Sequence, residues 1–227
     1  MEESIPRPKA VVFDMDGLMF NTEELYWHVG TELLRRRGRE YTRPLCDAMM
    51  GLQPQPAFQT MIDWHGLSET WEQLAAESDE IYFSLLDQYP VEVMPGLWKL
   101  LDVLESAGIP KAIGTSSRRR ALETLLNRFQ LQGRFAFTLT AEDVQHSKPH
   151  PEIYQKAAER FGLLPKEVVV LEDSQAGCRA AVAAGTVAVA VPGAHSRHHD
   201  FSQATLVIDT LADPRLYQLL GLPPVGW

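Results

Sequence analysis

Ala10-Val11-Val12-Phe13-Asp14-Met15-Asp16-Gly17 begins with four apolar residues and ends in two carboxylates and a glycine. A short β-branched run cut off by Asp14 reads as a buried strand. Three further runs, Ala112-Ile113-Gly114, Val168–Leu171 and Val187–Val191, alternate with helical stretches over Arg118–Phe129 and Gln175–Ala184. Such alternation predicts an α/β fold with a parallel sheet and crossover helices. The first crossover is anomalous: a βαβ connection needs roughly a dozen residues, yet about 95 separate the first run from the second. Between them Leu25, Tyr26, Val29 and Leu33, then Phe58, Met61 and Ile62, then Trp71, Leu74, Ile81 and Leu85 mark amphipathic helices. A helical subdomain is therefore inserted at the end of the first strand. Ligands of open α/β sheets bind beyond the carboxyl ends of the strands, so the insert is expected to overhang the site as a lid.

Three of these strands stop at groups suited to phosphate chemistry. The first ends in Asp14 and Asp16, the second in Thr115-Ser116-Ser117, and the third in Glu172-Asp173-Ser174; a lone Lys148 stands in the loop before a helix starting near Pro151. Singly, each is explained by helix capping or by a solvated charge. Together, four carboxylates on one sheet edge would repel one another without a cation, and an all-oxygen ligand set suits Mg²⁺. A phosphate monoester demands charge neutralisation, an in-line nucleophile and a proton for the leaving alkoxide. Asp14 can attack phosphorus, Lys148 and a metal ion offset its charge, and Asp16 can move the proton. The Thr115 hydroxyl and the Ser116 amide can hold the phosphoryl oxygens at a helix N-terminus. Beside them, Arg118-Arg119-Arg120 oppose the helix dipole, which a bound anion would relieve.

These residues resemble the haloacid-dehalogenase-like phosphohydrolases, from Val11 to about Val191, in the order Phe13-Asp14-Met15-Asp16-Gly17, Ile113-Gly114-Thr115-Ser116, Lys148-Pro149-His150-Pro151 and Leu171-Glu172-Asp173-Ser174. The resemblance implies a Rossmann-like core (residues 1–20 and 96–227), an α-helical cap (residues 21–95), Mg²⁺ and an aspartyl-phosphate intermediate. It implies Asp14 as nucleophile and metal ligand, Asp16 as general acid/base and backbone-carbonyl ligand, Glu172 and Asp173 as further metal ligands, and Thr115, Ser116 and Lys148 as phosphate ligands. The chain looks like the β-phosphoglucomutase and sugar-phosphatase branch. Asp16 disfavours dehalogenation, and the lack of any lysine from Thr22 to Pro95 removes the amine that phosphonate cleavage needs. A mutase would want an arginine after Gly51, where the chain reads Leu52-Gln53-Pro54-Gln55, and a histidine where Tyr26 stands. Hydrolysis is thus expected, with a phosphosugar mutase and a non-catalytic phospho-acceptor module as alternatives. Asn21, Gln53, Gln55 and Arg118 are the candidates for contact with the leaving group.

Composition narrows the setting. The 227 residues are 45% apolar and 22% charged, and 21 Lys plus Arg against 30 Asp plus Glu give a net charge of −9, which disfavours nucleic acid as a partner. Two cysteines without C-x-x-C spacing fit a reducing compartment. Met1–Pro6 lacks the order of a secretory signal, and no apolar run approaches a membrane span. The expectation is a cytoplasmic monomer acting on a small phosphorylated metabolite. His195, His198 and His199 read as a polar loop without a clear fourth metal ligand.

Overall fold

The computed structural model describes residues 7–86 and 88–223; the segment Met1–Pro6, read above for a leader, lies outside them. Six parallel strands form one sheet: β1 (Ala10–Phe13), β2 (Lys111–Gly114), β3 (Phe137–Leu139), β4 (Val168–Glu172), β5 (Val187–Ala190) and β6 (Leu206–Val207), in the spatial order β3-β2-β1-β4-β5-β6. This is the Rossmann-like α/β architecture expected, and the order reverses between β1 and β4, where a crevice opens at the strand ends.

Every residue of β1 and β4 is buried, as required of central strands covered on both faces. Val11, Phe13, Val169 and Leu171 face one layer, which holds α5 (Leu97–Ser106), α6 (Arg119–Arg128) and α9 (Pro214–Leu219). Val12, Val168 and Val170 face the other, built from α7 (Glu152–Phe161) and α8 (Gln175–Ala183). The stripe Leu97, Leu100, Leu101 and Leu104 of α5 is fully buried, each side chain contributing about 1.5–3 kcal/mol by leaving water. Strands β3 and β6 were not anticipated from sequence. Both are short sheet edges, and Val207 remains 45% exposed, so neither carries a buried strand's apolar run.

Between β1 and α5 run four helices, α1 (Thr22–Arg35), α2 (Arg43–Met49), α3 (Pro54–His65) and α4 (Trp71–Leu86). Helix α1 packs on α4, and α3 on both α2 and α4. Arg36 and Arg37, just past the end of α1, reach across to Glu77 and Glu69. The chain enters and leaves this block side by side: Asn21 N–H donates to Glu92 O at 3.1 Å, and Glu92 N–H donates to Asn21 Oδ1 at 2.6 Å. Among the described residues no helix is long and apolar enough to cross a membrane.

Candidate active site

Parallel strands deliver their last side chains to one edge, and β1, β2 and β4 bring Asp14, Thr115, Glu172 and Asp173 to the switch-point crevice. From the loop before α7, the Lys148 ammonium enters between them. It donates to Asp14 Oδ1 at 2.5 Å, Glu172 Oε1 at 2.6 Å and the Gly114 carbonyl at 3.1 Å, with only 3% of the residue exposed. Burial alone would pull this ammonium down; Asp14 and Glu172 outweigh it, and the net direction is up. Glu172, fully buried, also accepts from the Tyr154 hydroxyl and from Ser174 Oγ at 3.1 Å. Its carboxylate lies so close over α8 that a Cβ on Gly177 would collide with it, which accounts for a glycine inside that helix.

The Asp14, Glu172 and Asp173 carboxylates offer oxygens within 4.8 Å of one another, all buried. Burial, with Glu172 and Asp16 adding repulsion, pushes Asp14 up to about 8 against the pull of Lys148. Asp173 is likewise raised, first by burial and then by Glu23, which reaches over from α1 to hydrogen-bond it. Crowded buried carboxylates with oxygen donors alone are a fitting cradle for a hard divalent cation. The approach is tight: Gly17 sits at φ +77°, where a Cβ would strike the Asp173 side chain.

Asp16 is held differently. Its Oδ1 accepts from Thr22 Oγ1 at 2.6 Å, and its Oδ2 accepts from Ser117 Oγ at 2.6 Å and Thr115 Oγ1 at 3.4 Å. Desolvation raises its pKa against these hydrogen bonds. The carboxylate is therefore aimed without belonging to the three-carboxylate group.

Over this floor the helical block closes a cavity of about 230 Å³. Its upper walls are largely apolar, with Leu33, Met50, Phe58, Met61, Tyr82 and Phe83 among them. Ser116 Oγ donates to Gly51 O at 3.0 Å, and Arg118 Nη1 to Asp79 Oδ2 at 2.5 Å, so both tie the core to the block. Arg118 lines the cavity, whereas Asn21 is spent on the crossing linkers and Gln53 and Gln55 line a separate shallow groove with His146 and His150. No anion is needed at the start of α6: Arg118 pairs with Asp79, Arg119 with Asp143 at 2.5 Å, and Arg120 lies 3.9 Å over the Phe83 ring.

A family model described as haloacid dehalogenase-like hydrolase matches residues 11–191. The chain belongs to that family. It is 34% identical over 218 residues to a protein of Drosophila melanogaster named probable pseudouridine-5′-phosphatase, covering 93% of both chains. It is 35% identical over 191 residues to fructose-1-phosphate phosphatase YqaB of Escherichia coli, covering 82% of this chain and 97% of the relative. The structure of CbbY from Rhodobacter sphaeroides in complex with phosphate superposes with a TM-score of 0.81 at 25% identity, over 91% of this chain and 96% of that one. With the family and its phosphatase-named relatives together, the chain is a phosphoric monoester hydrolase of the haloacid dehalogenase-like class.

Several residues that surround the candidate site were not singled out for these contacts from the sequence. Thr22 and Ser117 orient Asp16, Tyr154 supports Glu172, Glu23 meets Asp173, and Tyr26 shares a 3.1 Å hydrogen bond with Ser117. Thr22 and Glu23 sit in the first turn of α1 and Tyr154 is buried in α7, positions that in the sequence alone carry no mark of a site. Only the position of Ser117, in the same strand-end run as Thr115, offered a signal.

Proposed function

We propose that the chain hydrolyses a small phosphomonoester, a sugar phosphate or a nucleoside monophosphate, through an aspartyl-phosphate on Asp14, with Mg²⁺ as cofactor. One observation carries this reading: the Lys148 ammonium lies 2.5 Å from Asp14 Oδ1 inside a buried carboxylate group at the floor of a covered cavity. That arrangement lets an anionic nucleophile meet a dianionic ester.

Asp14 and Asp173, with the Asp16 backbone carbonyl, would hold the ion, which supplies charge neutralisation for the transferring phosphoryl group. Glu172 is engaged by Lys148 and Tyr154 and fits better as the anchor of that ammonium. Asp14 attacks phosphorus, the bond to the leaving oxygen breaks, and the phosphoryl group passes to the carboxylate. Asp16, kept protonatable by burial, gives its proton to the departing alkoxide; it then takes one from the water that cleaves the acyl phosphate. Thr115, Ser116 and Lys148 hold the equatorial oxygens. Residues 21–95 act as a cap hinged at Met19–Asn21 and Pro90–Gly96, excluding bulk water during transfer. Arg118 is occupied by Asp79 rather than free for a second phosphate, which favours hydrolysis over a mutase reaction. A monomer working in the cytoplasm completes the proposal.

The test is phosphate release from a panel of sugar and nucleoside monophosphates, with Mg²⁺ and with EDTA. Turnover of the parent is expected to need the ion, and Asp14→Asn to lower it by about 10⁴-fold or more. An EDTA-insensitive enzyme, or an active Asp14→Asn, would sink the mechanism.

A further inference from the structure

The loop after β5 carries the histidines that sequence alone left without a partner, and the fold supplies one. Asp47, on α2 of the helical block, meets His198 and His199 of the core: His198 Nε2 lies 3.0 Å from Asp47 Oδ2, and His199 Nε2 lies 4.0 Å from Asp47 Oδ1. The His199 side chain is nine-tenths buried, at 10% exposure, while His198 keeps 53%. Asp47 Oδ1 and His199 Nδ1 are both buried without any hydrogen-bond partner. His199 Nε2 stands too far from the orphaned Asp47 Oδ1 for a hydrogen bond, and a buried carboxylate oxygen left in that state is costly unless something binds between them.

We propose that Asp47, His198 and His199 form a second metal site, separate from the carboxylate floor, which takes Zn²⁺ or a similar transition-metal ion. Zinc bonds of about 2.0–2.2 Å at tetrahedral angles put ligand atoms roughly 3.4 Å apart. His198 Nε2 and His199 Nε2 approach the two oxygens of the one carboxylate at 3.0 and 4.0 Å, near that spacing, and one ligand atom from each of the three residues lies within 4.8 Å of the others. Two imidazoles and a carboxylate favour zinc over Mg²⁺, whose preference is for oxygen. Water reaching half-exposed His198 can fill the fourth position. Because one ligand belongs to the helical block and two to the core, a bound ion clamps one to the other and slows any opening that product release requires.

A superficially similar trio, His146, His150 and Glu152, lacks the same signature. Its carboxylate already accepts from Lys156 at 2.7 Å and from the backbone N–H of Gln145 at 3.0 Å, so no ligand atom is left wanting.

The site can be tested by titrating Zn²⁺ against a chromophoric chelator in saturating Mg²⁺, which keeps the carboxylate floor filled. The wild-type protein is expected to take one Zn²⁺ from the chelator. His198→Ala, at a half-exposed position, should fold normally and bind it more weakly by at least the roughly 10–100-fold that loss of a supporting second-sphere partner costs. Co²⁺ in place of zinc should give tetrahedral visible bands that vanish in His198→Ala and His199→Ala. The same zinc concentrations should lower turnover in the parent and spare His198→Ala. Equal affinity in parent and variants, or no competition by the parent, overturns the site; equal inhibition of parent and His198→Ala overturns the clamp.

Discussion

The floor and the roof of the cavity obey opposite rules. On the floor, polar groups of the central strands and the loops beside them are held by directional hydrogen bonds and ion pairs to named partners. Across the roof, Leu33, Phe58 and Met61 present apolar surface with no directional demand. A floor of this kind discriminates between charge distributions at a reacting centre, while such a roof discriminates only by size and hydrophobicity. One fold can thus keep its chemistry while its substrate changes, provided the two jobs stay on separate elements.

The sharpest way to break this contrast is Lys148→Met. Removing the ammonium leaves the buried Glu172 and Asp14 without their cationic partner, so the variant should lose about 3–5 kcal/mol of stability to urea. Turnover should fall by about 10²–10³-fold through lost charge stabilisation. If phosphate release and the urea midpoint both matched the parent, the floor would be scaffold and not machinery.

A smaller effect sharpens the same contrast through pH. Burial lifts Asp14 from 3.8 to about 8, so without a divalent ion the native state holds a proton that the unfolded chain has shed between those values. The stability from this group is complete below pH 3.8 and is lost as pH rises through about 8. An ion that needs the ionised carboxylate works the other way. The rise in Tm on adding Mg²⁺ should therefore grow with pH and level off above about 8, and it should be smaller and flatter in Asp14→Asn. Calorimetry showing a pH-independent increment in the parent would detach the ion from these carboxylates.

The floor was legible in the sequence because strand ends leave a mark: an apolar run halts abruptly at Asp14, at Thr115 and at Glu172, and a parallel sheet must gather those ends together. Lys148 was legible only as a member of the set. The roof left no such mark, since an apolar residue lining a cavity on α3 has the same helical spacing as one packed in the core; Phe58 and Met61 read as core. Gln53 and Gln55, the candidates after Gly51 for contact with the leaving group, lie in the outer groove. The meeting of Asp47 with His198 and His199 spans about 150 residues, and no periodicity encodes a contact between a helix of the insert and a loop of the core. Edge strands β3 and β6 escaped for the complementary reason: partial exposure permits mixed composition, so the signal that betrayed β1 and β4 is absent.

The least disruptive probe is on the roof itself. Phe58 lines the cavity but is only partly buried, so Phe58→Ala removes contact surface without emptying the core. A half-covered aromatic contributes about 1 kcal/mol to holding an apolar leaving group, which corresponds to roughly a fivefold rise in KM. Because the ring touches neither Asp14 nor Asp16, it acts equally on ground and transition states, and kcat should stay within about twofold. The rise should be largest for esters with an aromatic or apolar leaving group and nearly absent for a small polyhydroxylated one. A fall in kcat that is uniform across the panel would mean that the roof helps to place the phosphoryl group, and the division between floor and roof would have to be redrawn.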